Sequence, residues 1–459
     1  MKSKILEIIE KYKNKTDYLE IRVEENETTQ IKFLNSELDT LSQSKAIGGY
    51  VRSCYKGRWG FCSFNNLEKI NDHALSAIQQ SIFLANGSNE KTILAPIAPV
   101  NCTKEIKLAG KDPRKIKLKD KVELFKHYSS IAKSHSDKIT SSTSRYFEKT
   151  QKIVFVNSDN SYIEHGWVDM EARFSTTSQE DGIVQVGSES LGSRLGFEEI
   201  ENLDKRILST AKRSVEQLKL KPPKSGSYTV VIDPILTGLF VHEAFGHLSE
   251  ADFVFENPKM EELMTFGKKF GEGFLNILDG GKISNHRGSF LYDDEGTPSE
   301  NTYLIKEGVL VGRLHSRETA GKLNENPTGN ARCLDYRFPP IVRMTNTWIE
   351  PQKNSPEDLL SEIKLGIWAG NWHGGQTNGE MFTFSSGEAR MIRNGKLAEP
   401  IRDVVLNGNV FQTLKDIEGI GNDMYWDESG GCGKGGQSGL PVGVGGPSIR
   451  IRNVVVSGD

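Results

Sequence analysis

The chain has 459 residues, 26% of them charged and 36% hydrophobic, and its formal net charge is −3. This balance argues against a nucleic-acid-binding protein held by a broad basic face. No apolar run reaches the roughly 18 residues that a membrane-spanning helix needs. The composition therefore predicts a globular protein of two or three domains that contacts neither nucleic acid nor membrane.

The N-terminus and the cysteines together indicate a cellular compartment. The first fifteen residues mix charged and apolar side chains at helical spacing and lack the uninterrupted apolar core of a signal peptide. The cysteines are few, odd in number and scattered, at Cys54, Cys62, Cys102, Cys333 and Cys432. This usage fits a reducing environment with free thiols, so we expect a cytoplasmic protein.

Residues 1–88 are predicted to form a small α+β subdomain. A helix is expected over residues 1–15, followed by alternating segments typical of paired strands. A hairpin is expected with its turn at Lys56–Gly57. A second helix should begin after Asn66 and stop at Gly87.

Residues 89–220 are predicted to form a linker, a helix and an antiparallel meander. The stretch 89–115 is rich in proline and lysine and has little periodicity, and a helix is expected at about 119–137. Short alternating segments follow, closed by a helix before "KPPKSGS", residues 221–227. That proline- and glycine-containing stretch is the predicted boundary of the last domain.

Residues 221–459 are predicted to form a β-rich catalytic domain. "YTVVIDP" is a strand ending at Asp-Pro, and hairpin turns are expected at Glu307–Gly308 and Asn394–Gly395. The predicted fold class is thus α+β. A mixed N-terminal region precedes a mainly antiparallel β domain that carries a short metal-binding helix.

The segment "HEAFGH", residues 242–247, contains the residue types of a zinc site at an unusual spacing. Zinc proteases commonly carry two histidines four residues apart on a helix, with a glutamate after the first. Here His242 and His247 are five apart, which places them about 140° apart around a straight α-helix. We expect a helix end, a kink or a π-type bulge near Gly246 to bring the two rings together.

A catalytic zinc ion usually takes a third protein ligand. The candidates are Glu250, Asp252, another histidine, or a cysteine. Cys432 stands out because it lies in a glycine-rich stretch that lets the backbone pass close to a site, and Lys434 is placed to help hold a thiolate. The acidic stretch "YDDEGTP", residues 292–298, is more typical of a solvated turn than of a cation site.

Several separated blocks resemble the TldD/PmbA family of cytoplasmic metalloproteases, in particular the TldD-type, metal-bearing subunit. They are "HEAFGHLSEAD", "YDDEGTP", "RMTNTWIEP", "GGQTNGEMFTFS" and "GGCGKGGQSGLPVGVGGPS", in that order. The resemblance implies Zn²⁺ bound by His242, His247 and Cys432, with Glu243 as the catalytic base. It also implies a peptide substrate and a dimer, formed either with a TldE/PmbA-type companion subunit or with a second copy of the chain.

The resulting functional hypothesis is a zinc-dependent metallopeptidase that cleaves small or unfolded peptides. Metal-activated water would be the nucleophile and Glu243 the general base. Two alternatives remain at this point. One is a deformylase-like amidase that uses the same metal, and the other is a non-catalytic, metal-stabilised binding protein of the DNA gyrase modulator type.

Overall fold

The computed structural model describes residues 2–457, and its N-terminal half is built on one sheet covered by helices on one face. The elements in chain order are α1 (Lys2–Tyr12), β1 (Tyr18–Leu34), β2 (Glu37–Tyr55), β3 (Arg58–Phe64), α2 (Ile70–Leu84), β4 (Asn101–Thr103), α3 (Leu118–Ser134), β5 (Ile139–Asn157), β6 (Tyr162–Glu180), β7 (Ile183–Ser193) and α4 (Asp204–Gln217). The strand order is β3-β2-β1-β5-β6-β4, and β7 also pairs with β6. All pairings are antiparallel except that of β4 with β6.

Alternation along the long strands explains how this sheet is packed. On β5, Tyr146 and Glu148 point to the helical side, where Tyr146 packs on Phe125 of α3. Phe147 and Lys149 point to the opposite face, which meets the C-terminal half. Strands from both sides of residue 88 pair within this one sheet. The domain boundaries near residues 88 and 220 stay predictions.

The C-terminal half contains two larger sheets and several short helices. Its first elements are β8 (Gly226–Ile232), α5 (Pro234–Val241), α6 (Ala251–Phe255), α7 (Pro258–Leu263), β9 (Ile277–Gly280), β10 (Asn301–Lys306), β11 (Val309–Leu310), α8 (Arg317–Leu323), β12 (Ala331–Arg332), β13 (Ile341–Val342), β14 (Asn346–Ile349), α9 (Pro356–Leu360) and β15 (Leu365–Gly370). Those that follow are β16 (Gly374–Asn378), β17 (Met381–Ser385), β18 (Glu388–Arg393), β19 (Lys396–Ile401), β20 (Val405–Asn409), α10 (Val410–Lys415), β21 (Ile417–Ile420), β22 (Tyr425–Asp427), β23 (Gly431–Lys434), β24 (Gln437–Pro441), β25 (Gly443–Gly446) and β26 (Ile449–Ser457).

A nine-stranded sheet has the order β16-β17-β20-β26-β8-β15-β18-β19, with β21 also paired to β26. A six-stranded sheet has the order β11-β10-β9-β14-β25-β22, and β12–β13 and β23–β24 are separate hairpin-like pairs. Parallel pairing occurs between β8 and β15 and between β14 and β25. The buried apolar residues of α5 belong to the largest hydrophobic cluster, which both sheets share. The predicted α+β class, with a mainly antiparallel C-terminal part, is confirmed.

The predicted turns are also confirmed, and each has a backbone reason. Lys56 and Gly57 both have positive φ, of 46° and 71°, as do Glu307–Gly308 and Asn394–Gly395. Two consecutive residues with positive φ are the signature of the tight turns that match strand twist. Asn66 accepts a hydrogen bond from the amide of Glu68, so it caps a short 3₁₀ turn immediately before α2.

The acidic turn at 292–298 is not solvated, which corrects the sequence prediction. Asp293 and Glu295 are 5% and 2% exposed because the turn is inserted against the N-terminal sheet. There Arg22 pairs with Asp294, and Arg52 binds Glu295 at 2.6 Å. Buried carboxylates need such partners. The turn therefore connects the two halves of the chain. No helix among residues 2–457 has the length and apolar character needed to cross a membrane.

Candidate metal centre

The motif segment begins as an ordinary capped helix. Strand β8 ends at Ile232, and the Asp233 side chain accepts a hydrogen bond from the amide of Leu236 at 2.7 Å. Pro234 occupies the first helical position, where its missing N–H costs nothing. Helix α5 is apolar and mostly buried, so it fixes the direction in which the following residues leave the core. The predicted strand ending at Asp-Pro is confirmed, and a mostly buried helix follows it directly.

The helix changes its hydrogen-bonding pattern at the motif itself. Residues His242–Gly246 form a π turn, in which the amide of His247 donates to the carbonyl of His242. A π turn places residues five apart one above the other, which a regular α-helix does not. The ring centroids of His242 and His247 lie 5.2 Å apart. The predicted distortion near Gly246 is confirmed.

The role of Gly246 differs from the prediction. Its φ is −56° and its ψ −51°, an ordinary helical conformation that any residue can adopt. The glycine is required by packing, because a Cβ here would lie 2.0 Å from the Met344 sulfur. Gly246 thus lets the π turn approach the segment before β14.

Cys432 completes the cluster from the hairpin β23–β24. Its sulfur lies 3.5 Å from Nε2 of His247, and one ligand atom from each of the three residues lies within 4.8 Å of the others. Positive φ at Gly435 and Gly436 forms the tight turn of this hairpin. His242 and Cys432 are buried, and His247 is partly exposed.

The three side chains perturb one another electrostatically. Burial alone would raise the pKa of Cys432, but the two neighbouring histidines lower this pKa well below its usual range. Burial would lower the pKa of His247, but hydrogen bonds with Cys432 and Glu250 raise it to about 11. The cluster therefore favours a thiolate, the form in which cysteine binds metals.

Glu250 lies on the far side of the His247 ring from Cys432. Its Oε2 is 3.0 Å from His247 Nδ1, so Nε2 is the nitrogen directed at the cluster. Lys434 lies 3.0 Å from the same carboxylate and 2.6 Å from Asp252, and it donates to the carbonyl of Val342. The sequence interpretation of Lys434 as a partner of the thiolate is thus replaced by a buried ion pair behind the histidine.

The residues present fit a metal ion. Two imidazoles and one thiol form a donor set suited to zinc, and three protein ligands are the usual number in a catalytic zinc site. Within residues 2–457, Nδ1 of His242 is buried without a hydrogen-bond partner, a costly state unless an ion or water satisfies it. Glu243 is half-buried, follows His242 directly and is close enough to influence its charge.

Two residues that support the cluster were missed from the sequence. Arg343 is fully buried and donates to the carbonyl of Cys432 at 2.8 Å and to that of Gln437 at 3.2 Å. Met344 packs on Gly246, as described above. Both lie in the block "RMTNTWIEP", which carries no local sign of a site. The other histidines of this half lie elsewhere, with His286 paired to Glu428 and His315 hydrogen-bonded to Thr319.

Family models match domain 1, the central domain and the C-terminal domain of the PmbA/TldA metallopeptidases over residues 19–85, 111–220 and 225–458. A metalloprotease of Synechocystis sp. is 53% identical over 453 residues, covering 99% of this chain and 97% of the relative. A zinc metalloprotease TldD homolog of Saccharolobus solfataricus is 30% identical over 440 residues, covering 95% of each protein.

Two solved structures share the fold. One, from Thermotoga maritima and named for modulation of a DNA gyrase, has a TM-score of 0.79 at 19% identity and covers all of both chains. The other is TldE from Thermococcus kodakarensis, with a TM-score of 0.73 at 17% identity, covering 99% of this chain and all of that one. Together with the matches across all three domains, these findings establish that the chain belongs to the PmbA/TldA metallopeptidase family.

Proposed function

We propose that this chain is a zinc-dependent peptidase whose metal is held by His242, His247 and Cys432. One observation carries the proposal: these ligand atoms lie within 4.8 Å of one another although Cys432 is 185 residues from His247 in sequence. Two nitrogens and one sulfur leave a fourth position for water or substrate, as catalytic zinc sites require. The relatives named metalloprotease, one of them a zinc metalloprotease, support the same reaction class.

Several residues of this chain would have separate roles in hydrolysis. His242, His247 and Cys432 would hold the zinc ion, which would supply Lewis acidity and so lower the pKa of a water molecule towards neutrality. Glu243 would act as the general base, taking a proton from the attacking water and passing it to the leaving amine. Glu250 holds the His247 ring so that Nε2 faces the cluster, and Lys434 holds Glu250.

An extended peptide is the substrate that the surroundings favour. Strand β16 is the terminal strand of the nine-stranded sheet and contacts the π turn that carries His242 and Glu243. Gly375 of β16 packs on the ring of Phe384 in β17, which a Cβ would approach to 2.1 Å, and it also lies near Leu239 of α5. A terminal strand offers unpaired backbone groups to an added strand. This mode suits small or unfolded peptides.

The direct test is the activity and zinc content of Glu243→Gln. We expect peptide cleavage to fall by at least about 100-fold, the usual contribution of a general base, while zinc binding is retained. Glu256→Gln, at an exposed glutamate beyond α6, is the matched control and should cleave normally. Normal cleavage by Glu243→Gln would remove Glu243 from the proposed mechanism.

We further propose that the working form is a dimer in the cytoplasm. The fold shared with TldE supports a companion subunit of the same architecture, and a second copy of this chain is the other candidate. Light scattering of the purified chain, alone and mixed with a companion, distinguishes these assemblies. A purely monomeric, fully active chain would refute the dimer.

A further inference from the structure

A separate cavity lies between the two halves of the chain, behind the hairpin that carries Cys432. Its volume is about 170 Å³. One wall is the face of β5 and β6 that lies opposite the helices, including Phe147, Lys149 and Trp167. The opposite wall includes Leu440, which is paired with Cys432 across the hairpin. A wider cleft adjoins this cavity and shares Trp167 and Phe290 with it.

The carboxylates that line this cavity are already engaged. Asp169 binds Arg287 at 2.6 Å, and Asp294 pairs with Arg22. Asp293 accepts hydrogen bonds from three backbone amides. The fourth, Glu171, pairs with Arg173 at 2.7 Å on the same sheet. Asp169 also pairs with Arg194 at 3.5 Å, so two lining cations, Lys149 and Arg332, have none of these carboxylates within ion-pair distance.

Two of the lining cations lack a carboxylate partner among residues 2–457. Arg332 is 7% exposed and donates to the carbonyls of Met344 and Pro441. The side-chain ammonium of Lys149 forms neither a hydrogen bond nor an ion pair within the described part of the chain. A third cation, Arg194, is by contrast partnered, because its Nε lies 3.5 Å from Asp169 and its Nη1 donates to the carbonyl of Ser289. Arg332 is buried and Lys149 is partly buried. Positive charge that is removed from water without a counterion is unfavourable, so these two groups leave a place for an anion.

The pKa shifts agree with this excess of positive charge. Burial, followed by repulsion from Arg343 and Arg194, lowers the pKa of Arg332 to about 9. Burial also lowers the pKa of Lys149, although Glu24 and Asp335 partly oppose it. Perturbed groups that face one cavity are typical of binding sites.

We propose that this cavity binds a carboxylate attached to an apolar or aromatic group, with Lys149 and Arg332 as its cationic partners. The aromatic walls, Phe147, Trp167 and Phe290, suit the apolar part, and the cations suit the carboxylate. The C-terminal end of a peptide has this chemistry. That the carboxylate belongs to a peptide rests on the proposed function, whereas the site itself does not.

Calorimetric titration of the zinc-loaded protein tests the site without using catalysis. N-acetylphenylalanine should bind, and N-acetylphenylalaninamide, which lacks the charge, should not. Lys149→Met should weaken binding of the acid by about tenfold or more, the effect of losing one charge-assisted hydrogen bond. Lys149→Arg should retain binding, as should Lys152→Met, which removes an exposed lysine from the same strand.

Several results would overturn the proposal. Equal binding of the acid to wild type and Lys149→Met would place the carboxylate elsewhere, for instance at the metal centre. Equal binding of acid and amide would remove the role of charge. A third ligand, 3-phenylpropionate, carries the carboxylate and the aromatic group without a peptide bond. If it binds and N-acetylphenylalanine does not, the assignment of the carboxylate to a peptide end is wrong. None of these results affects the Glu243→Gln cleavage test of the proposed function.

Discussion

Replacing Glu250 by glutamine tests whether the carboxylate behind His247 sets the metal affinity. Glu250 is 1% exposed, and its Oε2 is 3.0 Å from both His247 Nδ1 and Lys434 Nζ. Glutamine preserves the shape but removes the charge that orients and polarises the imidazole. Such carboxylate–histidine partners typically contribute 10- to 100-fold to metal affinity, or about 1.4–2.7 kcal/mol. We expect that loss of zinc affinity in Glu250→Gln.

The ion pair with Lys434 makes a second, separable contribution. Lys434→Met leaves Glu250 buried without its main counterion, a change that costs about 3–5 kcal/mol of folding free energy in typical buried pairs. The double variant Glu250→Gln/Lys434→Met leaves no such charge at Glu250. It should therefore be more stable than Lys434→Met alone, although its zinc affinity stays low.

Competition with a chromophoric zinc chelator measures the affinity, and urea denaturation measures the stability. Lys259→Met is the matched control, because Lys259 is 76% exposed and pairs with Glu380 at the surface. Lys259→Met should change neither the zinc affinity nor the free energy of unfolding. Wild-type zinc affinity in Glu250→Gln would refute the orienting role. A double variant destabilised by the sum of the two single effects would refute the coupling between Glu250 and Lys434.

Three further predictions concern packing, domain contact and pH. Gly246→Ala should lower the urea midpoint and the zinc affinity. Overpacking against Met344 costs about 1–3 kcal/mol, whereas the better helix propensity of alanine stabilises by at most about 1 kcal/mol. Adding Met344→Ala should relieve the defect, and a fully stable Gly246→Ala would contradict the packing argument. Arg52→Met should lower the melting temperature strongly, because it leaves the carboxylates of Glu20 and Glu295 buried without this counterion. Arg58→Met, which removes an exposed ion pair, should not lower it. Equal effects of the two substitutions would refute this contact between the halves. Burial raises the pKa of Asp233 to about 6 in the folded protein. Protonated Asp233 therefore stabilises the fold fully below about pH 4, the pKa in the unfolded chain, and this stabilisation is lost as the pH rises through 6. Asp233→Asn keeps a capping oxygen and should flatten this part of the stability profile measured by urea titration, and an unchanged profile would contradict the assignment.

Local patterns allowed much of the fold to be predicted. Turn pairs such as Asn394–Gly395 require positive φ, which few residue types tolerate, so they mark hairpins reliably. The helix distortion at His242–Gly246 was also predictable, because two histidines five residues apart cannot share a ligand on a regular helix. In both cases the constraint acts within a few residues of the signal.

Long-range contacts account for what the sequence did not indicate. The turn around Asp293 looks solvated because it is acidic, but Arg22 and Arg52 of a distant sheet bury it. Lys434 looked like a thiolate partner by proximity in sequence to Cys432, yet its ammonium extends to Glu250. Charged side chains are long, and their partners are chosen by the tertiary fold rather than by neighbouring residues.

The central claim is that His242, His247 and Cys432 hold one metal ion, and zinc content tests it most directly. Wild-type protein and Cys432→Ala should be purified in parallel, equilibrated with limiting zinc and analysed by elemental mass spectrometry. Cys54→Ala is the control, because Cys54 is also a buried free cysteine but lies in the N-terminal sheet. We predict about one zinc per chain in wild type and control, as expected for one closed ligand set, and strongly reduced zinc in Cys432→Ala. Equal zinc in all three proteins would contradict the account.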